Sequence, residues 1–172
     1  MMKGGGDRAA SDSGSDCSHF ARLLRSADDA RTRYEAVLRL GEMRCVEFAD
    51  AVLAAYFSDP DCRVRLNAVG PLVSLLGDRA LPHLIRGLDH DPDDQVREVT
   101  ASALGRIGSE LGLHSLARAL ITDIDPEVRE QCAEALSKIK VDRAKRALIR
   151  AARIEIDEGV LYYIQRALAE FT

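Results

Sequence analysis

Four histidines, His19, His83, His90 and His114, and four cysteines, Cys17, Cys45, Cys62 and Cys132, are the residues best suited to ligate a metal or act as a nucleophile. Their spacing assembles neither kind of site. No two cysteines are in CxxC register, and neither His83 nor His114 has a second histidine or a carboxylate at i+4 on one helical face. The histidines are expected to be solvated side chains. Cys132 falls in an inward-facing column beside Ala68 and Thr100 and reads as a small core residue. Cys62 lies in the first turn after Asp61, where a helix N-terminus lowers a thiol pKa and the adjacent acid raises it. There is no glycine-rich phosphate loop and no serine nucleophile in a strand–turn–helix setting, and Gly4-Gly5-Gly6 is tail composition. No catalytic residue, metal ion or cofactor is expected.

Arginine stands above this background. Arg22, Ala54, Arg86, Arg118 and Arg150 recur at one interval, with Arg79, Arg143, Arg146 and Arg153 close by. Between Lys138 and Arg153 there are seven cations and a single acid, Asp142. A row of guanidinium groups suits carboxylates or phosphates, so the expected binding ridge is Arg79, Arg86, Arg118, Arg143, Arg146 and Arg150.

The elements that must carry this ridge repeat every 32 residues. Asp61-Cys-Arg-Val64-Arg65 returns as Asp93-Asp-Gln-Val96-Arg97 and as Asp125-Pro-Glu-Val128-Arg129. At this period whole columns align: Asp29, Asp61, Asp93, Asp125 and Asp157; Leu40, Leu72, Leu104, Leu136 and Leu168; and Arg33, Arg65, Arg97 and Arg129, which stops at Leu161. Each repeat reads as two helices. The first opens on its Asp, a favoured N-cap because its carboxylate accepts the orphan amide hydrogens of the first turn. Pro60, Pro92 and Pro126 sit beside these caps, and Gly77 and Gly108 are natural stops. Val96, Thr100, Ala101, Leu104 and Ile107 form one amphipathic stripe, and Leu113, Leu116, Ala117 and Leu120 form that of the following helix.

The expected organisation is a flexible tail over 1–16 and one repeat domain over 17–172. Within it lie a half repeat at 17–27, full repeats at 28–58, 59–90, 91–122 and 123–154, and a half repeat at 155–172. With 47% hydrophobic residues the chain can bury a core, and with no Trp that core must be aliphatic. No apolar run has membrane-spanning length and the N-terminus lacks the apolar stretch of a signal peptide, so a cytoplasmic protein with reduced thiols is expected.

Helix pairs of this length, with Asp near the start and Val-Arg three and four residues on, resemble the HEAT-repeat family. The closest form is the short repeat found in phycobilin lyase subunits and many bacterial proteins. Residues 91–108 follow its pattern, Asp-Pro-Asp-Xaa-Xaa-Val-Arg-Xaa-Xaa-Xaa-Ala-Xaa-Ala-Leu-Gly-Xaa-Ile-Gly, and the resemblance covers 17–171. It implies an all-α fold, a right-handed α-solenoid of stacked antiparallel helix pairs whose second helices line the concave side. It also implies a structural ladder in which each Arg reaches the Asp of the next first helix, through Asp61, Arg65, Asp93, Arg97, Asp125, Arg129 and Asp157. The resemblance is specific for the fold rather than for function; with no catalytic residues in the sequence, the function expected is non-catalytic: a scaffold or adaptor gripping another protein, with an acidic segment as the chemistry that suits the ridge. Two alternatives stay open, a phycobilin-lyase-like subunit and nucleic-acid binding through the arginines. A net charge of −4 and few stacking aromatics count against nucleic acid. None of the histidines forms the repeated His-Glu pair by which deoxyhypusine hydroxylase, another HEAT-type protein, holds iron.

Overall fold

The computed structural model describes the backbone of residues 7–171 and the side chains of 14–171. Among the described residues it contains ten α-helices and no strand: α1 Asp7–Ser26, α2 Ala30–Glu42, α3 Ala49–Ser58, α4 Cys62–Leu76, α5 Leu81–His90, α6 Asp94–Ile107, α7 Leu113–Thr122, α8 Pro126–Lys138, α9 Asp142–Ala152 and α10 Glu158–Ala169. The Asp column caps the first helices. The carboxylates of Asp29, Asp61, Asp93, Asp125 and Asp157 each accept a first-turn amide of the helix that follows, as in Thr32 N to Asp29 Oδ1 at 2.7 Å and Val160 N to Asp157 Oδ1 at 3.1 Å. Gly108 ends α6 in the left-handed region at φ 69°, and Gly77 ends α4 at φ 55°.

The chain divides into two compact units, Met1–Gly77 and Asp78–Thr172. The division falls between the two helices of the second repeat. In the first unit α1 packs on α2 and α3, and α4 packs on both α2 and α3. In the second, α6, α8 and α10 stack as one layer and α5, α7 and α9 as the other. The leucine column is the spine of both cores: Leu40, Leu72 and Leu136 have no exposure and Leu104 has 1%. Each such burial contributes about 1.5–3 kcal/mol. Leu168, at the column's end, is only half-buried.

Close approach between neighbouring first helices depends on glycine at two places. A Cβ on Gly105 of α6 would meet the Ala135 Cα of α8 at 2.7 Å, and one on Gly41 of α2 would meet the Pro71 Cβ of α4 at 2.7 Å.

The tail expected over 1–16 falls partly outside the described residues; from Asp7 the backbone is helical and continuous with the packed segment Cys17, Ala21 and Leu24. Once that segment is held by packing, each residue added in front fixes one pair of dihedrals against one hydrogen bond, with no new nucleation cost. The expectation of reduced thiols fails for one pair. Cys17 of α1 and Cys45 after α2 form a disulfide with Cα atoms 5.8 Å apart, both buried, while Cys62 and Cys132 are not disulfide-bonded. Arg44, in the left-handed region at φ 53°, turns the chain out of α2 just before Cys45. No helix among the described residues is long and apolar enough to cross a membrane.

Candidate functional site: an arginine-lined groove and an arginine–acid ladder

On α9, Leu148 and Ala144 face the core with no exposure and Ala151 with 1%. That leaves Arg143, Arg146 and Arg150, spaced i, i+3 and i+7, as one outward stripe. On α7, Leu116 and Leu120 point inward, and His114, Ala117, Arg118 and Ile121 point toward α9. Between the two helices lies a groove of about 520 Å³. Leu113, Ala117, Ile121 and Ala147 form its apolar floor, while Arg118, Arg143, Arg146 and Arg150 stand around it. Among the described residues Arg143, Arg146 and Arg150 have no acidic partner, and all three are exposed. Arg118 is ion-paired through Nη2 to Asp89 Oδ1 on α5. Asp89 Oδ2 also accepts the Ser115 hydroxyl at 3.3 Å.

The structure thus brings together four of the six ridge arginines. Arg86, on α5, and Arg79, in the 3-10 turn before it, are exposed but do not line the groove.

The ladder arginines do something else, and their expected acceptors are corrected. Arg33 Nε and Nη2 donate to both oxygens of Asp59 at 2.8 and 2.9 Å. Arg97 makes the same bidentate pair with Asp123, at 2.8 Å twice, and Arg129 with Glu155 at 2.9 and 3.2 Å. The acceptors therefore come two residues before Asp61, Asp125 and Asp157. The N-cap carboxylates are already committed to helix amides. The preceding acids stand at or just beyond the ends of second helices, where the helix dipole disfavours them and a guanidinium is welcome. Each guanidinium also donates through Nη1 to the carbonyl six residues earlier: Arg33 to Ala27, Arg65 to Asp59, Arg97 to Asp91 and Arg129 to Asp123. The acids in turn accept the amide of the following N-cap residue, as in Asp125 N to Asp123 Oδ1 at 3.0 Å. Asp59, Asp91, Asp123 and Glu155 recur in the sequence at the 32-residue period, two residues ahead of the N-cap column.

Burial pushes the Asp123 carboxyl up, but the Arg97 hydrogen bonds and the Asp125 amide outweigh it and hold the group below the ordinary carboxylate value. Glu155 is held down in the same way by Arg129. Asp61, doubly hydrogen-bonded by Arg63, is lowered to about 2. Cys132 is fully buried and its thiol is pushed well above the usual range, as suits an inert core residue. The histidines gather no ligand set: among the described residues no group of three or more His, Cys, Asp or Glu is placed to hold a metal ion.

Stacked helix pairs at a 32-residue period, tied by Arg–acid clamps, define a helical-repeat protein. The chain belongs to the HEAT-repeat family, whose pattern matches residues 18–105 and 87–169. No protein among the curated sequences matches it. Among solved structures it is similar to a chain of the CpcE–CpcF complex of phycocyanin lyase from Nostoc, with a TM-score of 0.70 and 25% identity over 91% of this chain. It is also similar in fold to human deoxyhypusine hydroxylase, with a TM-score of 0.63 and 19% identity over 91% of this chain, and to an engineered protein, with a TM-score of 0.58 and 22% identity over 95%. The chain spans 65% of the lyase chain and 62% of the hydroxylase.

Proposed function

We propose that this chain is a non-catalytic binding module, a scaffold or adaptor, and that the α7–α9 groove docks an acidic, amphipathic segment of a partner protein. The observation that carries this reading is the groove itself. Its floor is apolar, and three of the four arginines around it have no acidic partner among the described residues. Like charges gathered beside an apolar floor add nothing to folding, and a segment with leucines and glutamates on opposite faces would satisfy both surfaces. Extended surfaces of stacked helix pairs commonly serve as docking sites. Reversing Arg143, Arg146 and Arg150 to Glu should abolish capture of such a segment while leaving the helical spectrum and Tm nearly unchanged. Binding to the unaltered chain should weaken steeply with salt. Capture that survives the reversal would refute the groove as the docking surface.

A second reading rests on the likeness to the CpcE–CpcF phycocyanin lyase complex: the chain would be one subunit of a lyase-like assembly. Incubation with a linear tetrapyrrole and a phycobiliprotein subunit separates the two, because only a lyase-like subunit would give covalently attached colour. Nucleic acid is the weaker alternative for the arginines, and a salt-titrated gel shift tests it.

A further inference from the structure

We infer that Asp89 is a resident competitor for the groove: its carboxylate holds Arg118 in the unoccupied protein, and an acidic partner segment docks by taking Arg118 from it. The inference rests on the groove being the docking surface and names the residue that filters what may enter. Asp89 lies in the last turn of α5, where a carboxylate opposes the helix dipole. The equivalent positions one repeat away carry Phe57 and Ile121, and the next carries Arg153, so the repeat itself has no use for an acid there.

The side chain is only 18% exposed. Ser115 serves Oδ2, and Oδ1 is buried and ion-paired with Arg118. Arg118 by contrast is 46% exposed and lies between two spaces. One is the groove it shares with Arg143, Arg146 and Arg150, and the other is a hollow of about 370 Å³ lined by Asp89, Thr122 and Ile124. A long guanidinium side chain placed between two spaces can exchange one carboxylate for another. Its pair with Asp89 is open to water on the Arg118 side, which weakens it. A pair formed in the occupied groove excludes water and is stronger.

Docking in this way leaves Asp89 poorly compensated. Only a segment whose own carboxylate replaces it well at Arg118 gains from entering, and apolar or weakly acidic segments are discriminated against. Asp89 is therefore a specificity-determining residue that acts through Arg118.

The test uses the full chain and a fluorescein-labelled helical peptide of about four turns, with leucines on one face and glutamates on the other, read by fluorescence polarisation. Asp89→Asn keeps the hydrogen bond from Ser115 and frees Arg118, so the peptide should bind about two- to fivefold tighter, the range that loss of a partly exposed ion pair implies. In an Arg118→Ala background the same Asp89→Asn change should have no effect. A gain that persists undiminished there would mean Asp89 acts only as a distant charge, and no gain at all would mean it does not compete; either result overturns the inference. Matching thermal melts exclude a folding effect. Binding lost on Arg143→Glu with Arg146→Glu but indifferent to Asp89→Asn sinks only the competitor. Binding that survives those reversals, or a peptide that binds neither the unaltered chain nor Asp89→Asn, sinks the groove and the competitor together.

Discussion

Arg97 serves three acceptors at once, both oxygens of Asp123 and the carbonyl of Asp91. With side chains 13% and 7% exposed, the pair lies between the surface and buried regimes. Arg97→Ala should therefore cost about 2–4 kcal/mol, mostly by leaving Asp123 uncompensated, whereas Arg143→Ala should stay within about 0.5 kcal/mol. Urea denaturation of both variants checks this, and equal midpoints would remove the clamp's structural role. The pH dependence follows from the lowered Asp123 carboxyl. A carboxylate depressed in the folded state stabilises above its unfolded pKa, and that contribution is lost as pH falls through the folded value. The acid limb of stability below about pH 4 should accordingly be shallower in Arg97→Ala. Glu130 has the opposite sign: burial first, then the charges of Asp157 and Glu127, hold it above its usual value. Glu130→Gln should raise the denaturation midpoint at pH 7, with the gain vanishing below about pH 4, where both states carry the proton. The arginine column was legible from its period; its acceptors were not. Two acid columns run two residues apart, and only the chain's path at the cap shows which carboxylate the helix amides have already claimed.

Among the elements, α1 and the glycine contacts resisted reading. Helix spans and N-caps follow from apolar periodicity and from aspartate, both local signals, and they appear where the sequence puts them. What α1 packs against is a tertiary fact, so neither its full length nor the Cys17–Cys45 bridge could be read from local composition. Replacing both cysteines with serine, or reducing the bridge, should cost about 2–4 kcal/mol, because a loop spanning 28 residues is freed in the unfolded chain. Denaturation with and without reductant measures it, and hydrogen exchange should rise first in α1. Function in a reducing compartment would have to proceed without that staple. Gly105→Ala should destabilise by about 1–3 kcal/mol despite alanine's better helix propensity, since the added methyl meets the backbone of α8. Gly70→Ala, exposed within α4, should change stability by less than about 0.5 kcal/mol, because alanine's better helix propensity is offset by contact between its Cβ and the ring of Pro71 that follows. Thermal melts of the pair separate close packing from propensity.

For the molecule as a whole, the regular columns end at α10. Val37, Val69, Ala101 and Ala133 are at most 1% exposed, yet the next member is Gln165, which is exposed, and the arginine column gives way to Leu161. Layers flanked on both sides should be the most sensitive. Leu104→Ala should cost about 2–5 kcal/mol and Leu168→Ala about 1 kcal/mol. Equal losses would mean that the terminal layer is packed as fully as the central one. The family and the helix-pair architecture were legible because one period runs through the chain. The division after Gly77 was not, since the period passes through it unchanged.

The ladder also bears on how the chain reaches this state. Each clamp joins an arginine to an acid 26 residues later, from Arg33–Asp59 to Arg129–Glu155. No clamp waits for a distant part of the sequence, so loop-closure entropy is small and equal at every step. Low contact order of this kind belongs to rapid folders, and in repeat arrays folding can begin at one layer and spread to its neighbours. On a ribosome the first clamp can close as soon as Asp59 has left the exit tunnel, long before Glu155 has been made.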